Sequence, residues 1–150
     1  MKYKETGNMP QISVVIDNAV LMDKFFTERD LSSIAPVPFF TIASVEWGYG
    51  FVEEIDGKPS VTNIPTDSKG LESVLHENTP DRSYVNNEIN MRCVLPAGVV
   101  EKGKVFNVSA LNIKDAKGNS IAICAVIPIP VTSDRLLQFD VIIKVQGGAV

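Results

Sequence analysis

Between Val94 and Val145 an apolar stretch, an Asp115-Ala116-Lys117-Gly118-Asn119 break, a second apolar stretch, a proline-punctuated connection and an alternating stretch follow one another. Strand-length apolar runs separated by short turns build antiparallel sheets, because a turn of a few residues joins only antiparallel neighbours. The last run is the cleanest. Leu137, Phe139, Val141, Ile143 and Val145 would share one face, while Gln138, Asp140, Lys144 and Gln146 take most of the other. A period of two is that of a half-buried strand. Lys104 to Lys114 is apolar without clean alternation, which fits an inner strand with a bulge or with both faces covered. Pro128 and Pro130 are expected to stop ladder pairing after Ile127, because proline has no N–H to donate.

The rest of the chain is compatible with that frame. Met1 to Met9 is polar and reads as a flexible or partner-bound arm, and residues 10–150 as a single β-rich domain. Gln11 to Ile16 suits a strand. Ala19 to Asp30 carries Leu21, Met22, Phe25 and Phe26 at helical spacing, with Asp17 or Asn18 able to cap it and Pro36 and Pro38 to end any continuation. Phe39 to Trp47 alternates as a strand, placing Phe39, Thr41, Ala43, Val45 and Trp47 on one face. Asp56-Gly57 between Phe51–Ile55 and Lys58–Ile64 predicts a type I′ hairpin, with Pro59 marking a sheet edge or a loop excursion. Leu71 to Leu75 reads equally as a helical turn or a strand. Thr79-Pro80-Asp81 reads as a turn. Ser83 to Leu95 reads as one alternating strand, with Val85, Ile89, Met91, Cys93 and Leu95 on one face. The expected class is therefore α+β and mainly β: an antiparallel β-sheet or sandwich with one N-terminal helix.

Composition narrows the partners. The chain has 150 residues, one ordinary domain, and a net charge of -4. Its lysines and arginines are scattered singly, so no positive surface for a phosphate backbone is expected, and no nucleic-acid partner. No apolar run reaches the ~18 residues of a membrane span, and Met1 to Asn8 lacks the apolar core of a secretory leader. Synthesis and folding in a cytoplasm are expected. Cys93 and Cys124 lie in apolar segments and read as buried free thiols, with a disulfide open only if their strands are neighbours.

No motif points to catalysis, a cofactor or a metal. His76 is the single histidine, and no Gly-x-Ser-x-Gly elbow accompanies it. Glu53, Glu54 and Asp56 fall on a hairpin, as a solvated edge would. Asp115, Lys117 and Asn119 have the spacing of a calcium loop but lack its terminal glutamate, so a tight turn is expected. Trp47, Tyr49 and Phe51 interleave with Gly48 and Gly50. In an exposed loop they would offer aromatic faces to a partner or a sugar ring; core packing is the alternative.

Several segments together resemble the phage tail-collar fibre family. They are Leu71 to Val74, Asn87 to Pro96, the Val108 to Asn119 hairpin with its Asp-Ala-Lys-Gly-Asn turn, Ile121-Ala122 and Leu136 to Val145. Ile42 to Gly50 is similar to the family's strand leading into a Gly-x-Gly turn. Glu101 to Phe106 stands where the family has Gly-Gly-Phe. The resemblance implies an N-terminal anchor domain of a tail fibre: a structural virion protein acting as fibre anchor, collar or baseplate connector. It implies other tail or baseplate proteins as partners, and a homo-oligomer, with a trimer favoured. The chain stops about where the last strand ends, so a small adaptor or an anchor domain is expected rather than a whole fibre. Trp47, Tyr49 and Phe51 are the interface candidates. The alternative is a carbohydrate- or receptor-binding β module using the same three side chains.

Overall fold

The computed structural model describes residues 18–34, 41–86 and 88–144. Ten strands and one helix run β1 (Asn18–Leu21), α1 (Asp23–Ile34), β2 (Ile42–Tyr49), β3 (Val52–Ile55), β4 (Lys58–Val61), β5 (Ser73–Asn78), β6 (Asp81–Val85), β7 (Glu88–Leu95), β8 (Phe106–Asp115), β9 (Ser120–Val131) and β10 (Leu137–Lys144). A five-stranded sheet has the order β1-β9-β8-β2-β5, a three-stranded sheet the order β10-β7-β6, and β3-β4 form a separate ribbon. Every pairing is antiparallel. The fold is thus mainly β with one helix, as the patterning predicts. The arm Met1 to Met9, the strand expected at Gln11 to Ile16, and Phe39, Val145 and Gln146 lie outside the described residues.

The two larger sheets close on one core. Val45 and Trp47 from β2, Val108, Leu111 and Ile113 from β8, and Ala122, Cys124 and Val126 from β9 meet Met91, Cys93 and Leu95 from β7 and Leu137, Phe139, Val141 and Ile143 from β10. The alternation read in the last strand is what builds this contact. A second cluster covers the other face of the larger sheet, where Met22, Ile64, Ile123 and Ala125 pack with Val20, Phe51, Val61 and Leu71. β9 is therefore covered on both sides, which explains why Ser120 to Val126 is apolar without a period. β8 is an inner strand, buried from Val108 to Ile113, with register shifts at Val108/Ala110 and Ile113/Lys114.

Turn chemistry holds where it was legible. Asp56 and Gly57 both have positive φ, 53° and 74°, as a type I′ turn requires. Pro59 sits on β4, which pairs with β3 alone. Asp115 closes the β8–β9 turn: its Oδ1 accepts from the backbone N–H of Lys117 at 2.9 Å and of Asn119 at 2.8 Å. That is a tight Asx-type turn and not a calcium loop.

Four expectations are corrected. Ala19 to Leu21 is strand, because pairing to Ala122–Cys124 of β9 outcompetes helical propensity there. The helix starts at Asp23, so Asn18 does not cap it. Ser83 to Leu95 is two strands of a hairpin, reversing after Asn86, whose φ is 51°. Asparagine tolerates that left-handed conformation, and Val85 pairs with Glu88 and Tyr84 with Ile89, so the reversal shifts the alternation by one residue. Val85 is consequently 51% exposed and off the core face. β9 continues through both prolines to Val131, with Asn107 opposite Pro130 and Phe106 opposite Val131. The ladder shifts register between Ala125 and Ile129, so it passes over Pro128 and resumes beyond it, where Pro130 lies opposite Asn107. Finally, β2 runs on past Trp47 through Gly48 to Tyr49, with a register shift against β5 between Trp47 and Gly48.

Candidate functional site

Trp47, Tyr49 and Phe51 do not form an exposed aromatic loop. Trp47 has no accessible surface, and its ring lies 5.5 Å from that of Phe139 on the opposite sheet. Its indole Nε1 donates to Asn78 Oδ1 at 3.1 Å, and Asn78 Nδ2 donates to the Val94 carbonyl at 2.6 Å. Asn78 thereby ties β5 to β7 while satisfying the one polar atom of a buried tryptophan. Composition alone carried no signal for Asn78; the need of a buried indole for an acceptor is the only hint. Tyr49 and Phe51 are half-buried, and Phe51 packs on the second cluster. The backbone beside them is fixed, since Gly50 N–H donates to Ser109 Oγ at 2.9 Å and Ser109 Oγ donates back to the Gly50 carbonyl at 2.8 Å. Trp47 therefore presents no stacking face to a sugar or a partner.

The surfaces that remain open are the rims of the sandwich. A groove of about 450 Å³ runs between β1 and β10, lined by Val20, Leu21, Cys124, Val141, Ile142 and Ile143. Among the described residues, β1 and β10 have no strand on their outer sides. Ile142 is 39% exposed beside the groove, and α1 exposes Phe26, Leu31 and Ile34. A second cavity of about 590 Å³ at the start of α1 is polar, with Asp23 and Asp67 balancing Lys24 and Lys69. A third, of about 500 Å³, crosses the outer face of the smaller sheet, where Arg92 pairs with Asp140 at 3.5 Å.

Titratable groups gather in two places. On the outer face of the larger sheet, Lys114 Nζ reaches Glu46 Oε2 at 3.4 Å and Glu77 Oε2 at 3.5 Å. Ser44 Oγ donates to Glu77 at 2.6 Å, which with Lys114 holds that carboxyl below its ordinary range. The second place joins α1 to the β8–β9 turn, where Glu28 meets Asp115 and Asn119. Among the described residues, no three of His, Cys, Asp and Glu converge as a metal site would need. Cys93 and Cys124 are both buried and free, on facing sheets, and burial pushes each thiol up to about 12. No described helix is long and apolar enough to cross a membrane.

Comparison with protein-family models, curated proteins and solved structures found no match to this chain.

Proposed function

We propose that this protein is a structural component of a phage or prophage tail, docking as a fibre anchor, collar or baseplate connector in the virion. The observation that carries the reading is the apolar groove between the β1 and β10 edges, with Ile142 exposed beside it. Apolar surface at a sheet rim is what protein–protein docking uses. The order of strands and turns that resembles the tail-collar family supports the same reading. So do the exposed apolar side chains of α1. Attachment works by shape-complementary burial, and a trimer around a fibre axis is the expected assembly. Trp47 lies inside the fold, so docking falls to the rims, with Tyr49 and Phe51 able to contribute only their half-exposed surface.

Light scattering of the full chain across concentration tests this. A trimer, or an assembly that loses mass when Ile142→Asp places a charge beside the groove, is expected. A strict monomer at high concentration would overturn it.

A further inference from the structure

The contact between α1 and the β8–β9 turn has a chemistry that docking does not use. Helix α1 is poorly anchored: within it only Phe25 is buried, while Phe26, Leu31 and Ile34 are exposed. Its other anchor is Glu28, whose side chain is 11% exposed. Asn119 Nδ2 lies 3.2 Å from Glu28 Oε1 and also 3.2 Å from Asp115 Oδ2, so one amide bridges the two carboxyls. Glu28 Oε2 is buried and faces no donor. A carboxylate oxygen left so, against a second carboxylate, is costly if ionised and comfortable if it carries a proton that the neighbour accepts.

We propose that Glu28 and Asp115 form a proton-dependent latch that holds α1 against the β8–β9 turn. The division of labour follows from the donors. Asp115 already accepts two backbone N–H groups and the Asn119 amide, which suits the ionised form. Glu28 accepts from that same amide but from no backbone N–H, and its Oε2 has no partner, so the shared proton sits on Glu28. The charged and polar groups facing Glu28 are Asp115, Lys117 and Asn119 from the β8–β9 turn, and Lys24 from α1 itself. Lys117 lies 3.7 Å away but is largely exposed, so solvent weakens its pull.

Burial and then Asp115 raise the Glu28 carboxyl above its ordinary value of 4.5. A carboxyl raised in the docked state binds more protons there than in the released state. Docking is therefore strongest where Glu28 is protonated and Asp115 still ionised, and it weakens as pH rises through the raised Glu28 value. When Glu28 gives its proton to water, two carboxylates face each other and α1 lifts. That opens Phe25 and the core beneath it.

Hydrogen exchange of the full chain between pH 5 and 8, corrected for the intrinsic pH dependence of amide exchange, reads the latch. In the wild type, opening of the α1 amides should increase about tenfold relative to the β8 and β9 amides. In Glu28→Gln, which donates to Asp115 without a charge to lose, the increase should vanish. In the wild type, the Glu28 carboxyl ¹³C signal should titrate over the same pH range as α1 opens. A flat α1 profile in the wild type overturns the latch. So does an identical rise in Glu28→Gln, or a Glu28 carboxyl that titrates in the ordinary range. The ¹³C measurement needs no variant, so it decides the matter even if Glu28→Gln folds poorly.

Discussion

Gly48 sits where the backbone of β5 passes close to β2. A Cβ built there would lie 2.0 Å from the Ser73 carbonyl oxygen, which no side-chain rearrangement can relieve. At Gly50 the nearest atom would be 3.3 Å away. Gly48→Ala should therefore lower stability by about 3 kcal/mol, and Gly50→Ala by about 1 kcal/mol. Urea unfolding of the two variants checks this, and equal losses would mean that the close approach is not what selects Gly48. Both glycines were visible in the sequence, but as a broken turn. Their meaning came from a strand more than twenty residues away. Trp47 makes the same point. An aromatic beside a glycine-rich stretch looks exposed, yet a buried ring and an Asn78 acceptor put it in the core.

At the scale of elements, cross-strand pairing decides which charges matter. Glu46 stands directly opposite Glu77 and also opposite Asn112. Two like charges across a ladder repel, and Lys114 lies between them. Lys114→Met should cost about 1–2 kcal/mol. Adding Glu77→Gln should restore part of the loss by removing the repulsion, and additive losses in a double-mutant cycle would refute the bridge. The prolines of β9 belong to the same scale. A single strand tells that a donor is missing but not that a register shift carries the ladder past it, so pairing was expected to end where it in fact resumes. The helix is similar. Its apolar spacing was read four residues too early because a neighbouring strand was there to pair with Ala19 to Leu21.

For the whole molecule, the ionisable interior sets limits at both ends of the pH range. Asp115 and Glu77 are held below their ordinary values: burial opposes this in both, but hydrogen bonds from Glu28 and the turn N–H groups, and from Ser44, outweigh it. Their contribution is present above those ordinary values and is lost as pH falls through the lowered ones. At the alkaline end, burial lifts Cys93 and Cys124 from 9.0 to about 12. The unfolded thiols ionise first, so stability should fall between pH 9 and pH 12. Differential scanning of the wild type and of Cys93→Ala should show a smaller alkaline slope in the variant. An unchanged slope would refute a role for the thiol.

The sequence by itself determined the strand period, the hairpin turns at Asp56-Gly57 and Asp115–Asn119, the absence of catalytic motifs and the mainly β class. These depend on local chemistry: side chains that alternate, residues that accept positive φ, and an aspartate that reaches its own turn. Only the tertiary structure decided that Trp47 lies between sheets, that β9 keeps pairing through its prolines, and that Glu28 meets Asp115 across 87 residues of chain. Each of these depends on which distant strand comes alongside. That partner is chosen by burial summed over the whole core, and no local window of sequence contains the sum.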